Sequence, residues 1–209
     1  MGQKVNPYLY RLGLNNNWRS RWFGKGKDFS KFLLEDVAIR ELITKMTGPQ
    51  AGISEIIIER GVGSLTIYLH SARPGVLIGR GGTQLEILRR SIAKLIKRKF
   101  NLEIVEIKKA DADAKVVAQS IGMQISKRMP FRRAVKQMLQ KVKAAGVDGV
   151  RIRVAGRLDG AEISRDETFT DGSVPLTTLR KNVQFAKYDA PTTYGIVGIK
   201  VWINPGEKV

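Results

Sequence analysis

The stretch "VLIGRGG", residues 76–82, places one arginine among three glycines directly after an apolar tripeptide. Glycine inside a helix costs about 0.5–1 kcal/mol relative to alanine, so glycines this dense between two helix-like segments need a local reason. No Gly-Lys-Ser/Thr follows at P-loop spacing, and the dinucleotide-binding fingerprint has a wider glycine spacing. What remains is a Gly-x-x-Gly turn between two helices, made of Gly79, Arg80, Gly81 and Gly82.

Such a turn has two interpretations. Glycines lack a Cβ and therefore let a sugar-phosphate strand approach the backbone, while amide N–H groups at the start of the next helix favour anions. The four-residue pattern is common, however, and a simple tight turn is the alternative. The surroundings favour RNA, because the pattern stands within a predicted α-β-β-α-α-β order and a cationic helix follows it.

The flanking segments predict that element order. Helical spacing runs from Ser30, a candidate N-cap, to about Met46. The segments "ISEIIIER" and "SLTIYLHS" predict two strands joined around glycines. A short helical turn, the glycines, a long helix from about Thr83 to Phe100 and the strand "LEIVEIKK" complete the unit.

A second unit is predicted to begin near Lys109. The segment "ADADAKVVAQSIGMQISKRM" predicts a helix whose start is capped by Asp111 and Asp113, with a metal-binding carboxylate pair as the alternative. Pro130 interrupts the pattern and "FRRAVKQMLQKVKAA" resumes it as a second helix. Four strands are predicted after it, in "VRIRVAG", around "AEISRDETF", around "VQFAKYDA" and in "GIVGIKVWI".

We therefore predict an α+β protein in three parts. These are a basic N-terminal arm at residues 1–29, an α-β-β-α-α-β domain at 30–109 and a C-terminal domain of two helices and four strands at 110–209. In the arm, Trp18, Trp22 and Phe23 alternate with arginines. These rings could stack on bases or pin the arm to the protein's own surface, and the sequence leaves both possibilities open.

Charge is the strongest compositional signal. The formal net charge is +18 and the isoelectric point is near 10.4, which predicts a polyanionic partner and above all nucleic acid. The chain has no cysteine and only one histidine, His70, which excludes disulfides, cysteine nucleophiles and Cys/His zinc sites. No apolar run approaches the ~20 residues of a membrane helix. We expect an intracellular protein with no cofactor, no metal, no catalytic residue and no membrane partner.

The basic residues gather on predicted outer faces. From Arg73 to Phe100 the chain has eight basic residues and one acidic residue, Glu86, and from Met123 to Arg157 it has ten and one, Asp148. Helical and strand periodicity separates apolar from basic positions in both stretches. The predicted buried set is Leu85, Leu88, Ile92, Leu95, Ile96, Val135, Met138, Leu139, Val142, Val150, Ile152 and Val154.

A phosphate-binding surface explains this segregation better than a solvated face, which normally mixes both signs of charge. The candidate RNA-binding residues are Gly79, Arg80, Gly81, Gly82, Arg90, Lys94, Lys97, Arg132, Arg133, Lys136, Lys143, Arg151, Arg153 and Arg157.

Specific motifs add a resemblance to a known family. The segment "ARPGVLIGRGG" resembles the core of a type II KH domain. The whole chain resembles ribosomal protein S3, a family of the small ribosomal subunit. The segments that carry this likeness are, in order, "MGQKVNP" with "RLG", "SRWF", "ARPGVLIGRGG", "FRRAVK", "GRLDGAEISR", "VPLTTLR" and "TTYGIVGIKVWI".

The resemblance implies a non-enzymatic protein of the small-subunit head, bound to ribosomal RNA and to neighbouring proteins of the head and of the messenger RNA channel. It implies that Arg132, Arg133 and Lys136 face the entrance of that channel and support the unwinding of structured messenger. It also implies a cytoplasmic or organellar ribosome. The family commonly has a second basic residue where this chain has Gly81, which lowers the charge of the loop. A nucleic-acid enzyme and a KH protein acting off the ribosome are the alternatives.

Overall fold

The computed structural model describes residues 4–61, 63–96 and 98–206. The candidate RNA-binding residue Lys97 lies outside the described residues. The chain forms two compact units, one of residues 18–108 and one in which residues 4–17 join residues 109–206. Each unit has its own hydrophobic core. Within the described ranges, no helix is long and apolar enough to cross a bilayer.

The unit of residues 18–108 contains the predicted α-β-β-α-α-β order, preceded by a short strand. Its elements are β1 (Ser20–Arg21), α2 (Lys27–Thr47), β2 (Ile53–Arg60), β3 (Leu65–Ser71), α3 (Pro74–Ile78), α4 (Thr83–Leu95) and β4 (Phe100–Glu106). The sheet order is β1-β2-β3-β4, in which β2 and β3 pair antiparallel and the two outer strands pair parallel to their neighbours. The predicted order is thus confirmed.

Alternation and helical spacing build the core of this unit. Alternate residues are buried along β3 and along β2 after a register shift between Ile53 and Glu55, and the apolar stripes of α2 and α4 cover them. Ile58, Ile67 and Leu69 of the sheet and Ile39 and Ile92 of the helices are completely buried.

Two predicted helix ends in this unit are wrong. The helix α2 starts at Lys27 after Gly26, so Ser30 lies inside it and does not cap it. The helix α4 ends at Leu95 and does not reach Phe100, because Ile96 is extended with φ −111° and ψ 110°. Ile96 is 3% exposed, and Phe100 pairs with Leu65 in the sheet. Helical spacing continues to Phe100 in the sequence, but Phe100 is the first residue of β4.

The unit of residues 4–17 and 109–206 has the predicted two helices and four-stranded sheet. Its elements are α1 (Pro7–Tyr10), α5 (Ala114–Ser126), α6 (Phe131–Ala144), β5 (Gly149–Gly156), β6 (Arg165–Gly172), β7 (Gln184–Thr192) and β8 (Gly195–Asn204). The strand order is β6-β5-β8-β7 and all pairs are antiparallel. The predicted interruption at Pro130 is confirmed, since this residue separates α5 from α6.

Helix capping and close packing position α5. The side chain of Asp113 accepts hydrogen bonds from the backbone N–H groups of Lys115, at 2.9 Å, and Val116, at 3.1 Å. This confirms the predicted capping role of Asp113. A Cβ on Gly122 would overlap the Tyr188 ring, so glycine is what lets α5 approach β7. The alternation predicted for β5 is confirmed by its buried Val150, Ile152 and Val154.

Two side chains of the predicted arm, Arg11 and Trp22, are held by the protein itself. Arg11 is fully buried and donates hydrogen bonds to five backbone carbonyls, those of Pro7, Pro175, Leu176, Thr178 and Lys181. Trp22 donates to the Asp36 carboxylate at 2.8 Å, so this ring pins the chain to its own surface. Trp18 and Phe23 are 66% and 81% exposed.

Candidate nucleic-acid interface

The Gly-x-x-Gly segment is a sharp turn between α3 and α4. Gly79 has φ 71° and ψ −179°, a conformation restricted to glycine, while Gly81 (60°, 21°) and Gly82 (79°, 5°) are left-handed. A Cβ on Gly79 would lie 2.7 Å from Cγ of Gln84. The backbone therefore turns sharply at this point, and Gly79 is the position of the turn that only glycine can occupy.

The same turn presents an open backbone. A Cβ on Gly81 or Gly82 would meet no heavy atom within 4 Å, so a ligand can approach the chain closely there. Arg80 is exposed between the glycines. The turn leads into the first residues of α4, which carry the positive end of the helix dipole. These features suit an anion at the turn.

Helix α4 separates apolar from basic residues. Leu88 and Ile92 are buried, Leu85 is half-buried, and Leu95 is 37% exposed, so the predicted buried stripe thins out at the C-terminal end. Arg90 is exposed and forms an ion pair with Glu86 one turn earlier, at 3.3 Å. Lys94 is exposed and has no carboxylate partner among the described residues.

Helix α6 presents the densest group of cations. Its apolar side is buried in the core through Val135, Met138 and Val142, with Leu139 half-buried. On the solvent side, four basic side chains fall within an arc of about 100° around the helix axis. We call this group the α6 arc: Arg132, Arg133, Lys136 and Lys143. The helix contains no acidic residue.

Acidic residues of β6 pair with part of this surface. The Arg132 guanidinium forms two hydrogen bonds with the Glu167 carboxylate, at 2.7 and 3.2 Å, and Lys143 lies 3.1 Å from Asp171. The hydrogen bond between them raises the pKa of Arg132 and lowers the pKa of Glu167. Arg133 and Lys136 have no carboxylate partner within the described chain. The α6 arc thus contains both paired and unpaired cations.

The arginines of β5 and of the turn after it also contact other groups of the protein. Arg153 forms an ion pair with Asp166 of β6 at 2.9 Å. Arg151 lies over the ring of Trp202, 5.6 Å from its centre, because these two residues are paired across β5 and β8. Arg157 is exposed and donates from Nε to the Ala161 carbonyl at 2.9 Å.

The structure therefore divides the candidate residues between two places. The glycine turn and α4 belong to the unit of residues 18–108, whereas the α6 arc and the β5 arginines belong to the other unit. Sequence reasoning missed the carboxylates that pair with Arg132, Lys143 and Arg153. The signal was the acidic segment "RDETFTD" of β6, but only the strand register shows that it lies beside β5.

Comparison with known proteins gives matches over nearly the whole chain. The KH domain profile matches residues 38–112, and the profile described as ribosomal protein S3, C-terminal domain, matches residues 121–203. Small ribosomal subunit protein uS3 of Lawsonia intracellularis is 47% identical over 207 residues, covering 99% of this chain and 96% of the relative. Proteins of the same name from Desulforudis audaxviator and Cereibacter sphaeroides are 49% and 48% identical over 207 residues, covering 94% and 87% of those relatives.

Proposed function

The chain belongs to the ribosomal protein S3 family, and from this premise we propose that it is a structural constituent of the small ribosomal subunit. In this proposal it binds ribosomal RNA in the head of the subunit and contacts messenger RNA at the entrance of its channel. The family consists of ribosomal proteins and not of enzymes, and we assign no catalytic residue.

The observation that carries the proposal is the α6 arc. Glu167 and Asp171 partly neutralise Arg132 and Lys143. Arg133 and Lys136 lie on the same side of this helix, which has no acidic residue, and they leave a local excess of positive charge that attracts a polyanion. Arg133 and Lys136 are the most available members, since no carboxylate of the described chain neutralises them. A strand of RNA that follows α6 would bring its phosphates to these side chains.

We propose that this surface aids the unwinding of structured messenger passively. Arg132, Arg133 and Lys136 hold separated strands by their phosphates, which carry no sequence information, so any messenger is accepted. The work of separation comes from translocation of the messenger, because the chain contains no P-loop motif for a nucleoside triphosphate.

The unit of residues 18–108 supplies a second contact in this proposal. Its glycine turn allows a ribosomal RNA backbone to approach Gly81 and Gly82, and Arg80, Arg90 and Lys94 lie on the same unit. Since Gly81 is uncharged, Arg80 alone provides the charge of the turn. The remaining proposed partners are neighbouring proteins of the head and of the messenger channel, in a cytoplasmic or organellar ribosome.

The central test compares two lysines of α6. Lys136→Ala removes an unpaired member of the α6 arc, whereas Lys141→Ala removes an exposed lysine about 140° away around the same helix. Ribosomes that carry Lys136→Ala should translate through a strong messenger hairpin several-fold more slowly, with unstructured messenger unaffected. The triple change Arg132→Ala, Arg133→Ala and Lys136→Ala should enlarge this effect.

The control variant Lys141→Ala should translate both messengers at the normal rate. Variant subunits should sediment normally, since every changed residue is exposed and lies outside the core. Normal passage of the hairpin by the triple variant would contradict the unwinding role. Two further results separate the alternatives: EDTA-sensitive cleavage of purified RNA indicates a nuclease, and a pool sedimenting apart from small subunits indicates a role off the ribosome.

A further inference from the structure

A cavity of about 510 Å³ lies beside the N-terminal end of α6. It is enclosed by the turn between α5 and α6, the 3-10 turn Leu158–Gly160 and the hairpin between β7 and β8. Phe131, Leu158 and Val197 form an apolar floor, and all three are buried. Arg128, Arg157 and Tyr194 stand at its exposed rim.

Backbone strain concentrates at this cavity. Among the described residues, Arg128 (φ 64°) and Asp159 (φ 51°) are the non-glycine residues with a positive φ, and both line it. Arg128 occupies the position after a helix C-cap where glycine is usual, with its N–H bonded to Ile125 O at 2.9 Å. Glycine would form the same turn at lower cost, so the turn itself does not explain why a long cationic side chain stands there.

An aromatic ring and a guanidinium are arranged together at the rim. The Arg157 guanidinium lies 5.7 Å from the centre of the Tyr194 ring, and its Nε is held by the Ala161 carbonyl. A Cβ on Gly160 would lie 3.0 Å from the Tyr194 ring, so the ring rests against backbone. Tyr194 is nevertheless 56% exposed, and part of its surface is open to a ligand.

We propose that this cavity binds one unstacked nucleotide of an RNA strand. The base lies against Tyr194 and the apolar floor, and the phosphates on either side of it contact Arg128 and Arg157. The volume falls within the range of about 300–1,000 Å³ that is typical of small-ligand sites. A planar ring flanked by anionic groups matches an aromatic face between two arginines, because every nucleobase has a π-face and every linkage a charge.

The inference rests on RNA being the partner of the α6 arc, because the cavity adjoins the first residue of that helix, Phe131. It adds a requirement that the arc alone does not have. The arc contacts phosphates and tolerates any strand, whereas the cavity needs a base. An apolar peptide side chain would also fit the floor, but it would give no role to the two arginines.

The test measures whether a base adds affinity to a strand beyond that of its phosphates. Two seven-residue single strands carry the same phosphates, one with a central adenosine among abasic residues and one fully abasic. The full-length protein should bind the adenosine strand about fivefold more tightly or better, as one base stacked on an aromatic side chain predicts. Equal affinity for both strands would overturn the cavity proposal and leave the arc proposal intact. Failure to bind either strand would instead overturn RNA binding itself.

Variants locate the effect. Tyr194→Ala should abolish the preference for the adenosine strand, and Tyr10→Ala, at a 48% exposed tyrosine outside the cavity, should retain it. Arg128→Gly should raise the melting temperature, because the strain at its positive φ disappears, and should weaken binding of the adenosine strand. Unchanged binding by Arg128→Gly would refute the proposal. Normal RNA binding by Tyr194→Ala combined with failure to enter small subunits would assign the cavity to a protein partner.

Discussion

Replacing Gly79 by alanine should destabilise the unit of residues 18–108 by about 2–4 kcal/mol. The backbone contributes about 1–3 kcal/mol, because φ 71° with ψ −179° is a conformation open only to glycine. The new Cβ would also lie 2.7 Å from Cγ and 3.2 Å from the backbone N of Gln84. Gln84 is exposed and partly able to move, so the overlap adds about 1 kcal/mol, the lower end of the range for overpacking.

Gly81 provides the matched control. Its φ of 60° and ψ of 21° lie in the left-handed region that other residues enter at a cost of about 1–2 kcal/mol. A Cβ at Gly81 would meet no atom within 4 Å, so Gly81→Ala should cost only that backbone term. The two alanine variants should therefore differ by about 1–2 kcal/mol although they stand two residues apart in one turn.

Urea unfolding followed by tryptophan fluorescence measures this difference. A Trp202→Phe background removes the tryptophan of the other unit, so that the signal reports Trp18 and Trp22. At a constant m-value, the shift of the midpoint gives the change in free energy of unfolding. Adding Gln84→Ala to Gly79→Ala should recover part of this overlap cost, because it removes the contact with Cγ at 2.7 Å but keeps those with Cβ at 3.0 Å and the backbone N at 3.2 Å. Equal midpoints for Gly79→Ala and Gly81→Ala would refute the assignment of a special conformation to Gly79.

Three further changes test two ion pairs and the buried side chain of Arg11. Glu167→Gln should tighten RNA binding several-fold at low salt, because Arg132 loses its carboxylate partner. Since the Arg132 hydrogen bond lowers the pKa of Glu167, the pair persists until the pH falls through that lowered value, and the advantage of the variant should vanish in filter-binding assays below it. Asp36→Ala should cost about 2–3 kcal/mol in urea unfolding, because the Arg60 side chain, 7% exposed, keeps only Glu35 as a carboxylate partner and Trp22 loses its acceptor. Arg11→Ala should cost about 3 kcal/mol or more by leaving buried carbonyls unpaired, and Arg11→Lys should recover only part of it, because an ammonium has three donors.

The periodic parts of the chain were predictable because burial on one side repeats with the period of the element. The strand β5 alternates strictly, and its inward valines and isoleucine are buried as its pattern indicated. The end of α4 was not predictable in this way, since Ile96 and Phe100 continue the helical spacing. Phe100 instead begins β4 and pairs with Leu65 of β3, which is distant in the chain.

The role of the first residues depends on contacts that no local pattern contains. The sequence predicts Arg11 to be one more cation of a basic arm, yet its side chain is fully buried. Its carbonyl partners at Pro175, Leu176, Thr178 and Lys181 lie more than 160 residues away. Those carbonyls become acceptors only once the segment before β7 has adopted its final path. Composition therefore overstated the number of cations available to a polyanion.

The ion pairs with β6 divide the cations of α6 into two groups, those with a carboxylate partner and those without one. A phosphate that binds Arg132 or Lys143 must displace a carboxylate, so the gain from each contact is partly offset by the pair it breaks. At Arg133 and Lys136 no such exchange occurs, and the contact displaces only water and counterions. Removal of Lys136 should therefore reduce the slope of log K for RNA binding against log salt concentration by about one. Removal of Arg132 should reduce it by less, because that guanidinium already has an anion beside it. Equal slopes for the two variants would mean that the carboxylate of Glu167 does not compete with phosphate.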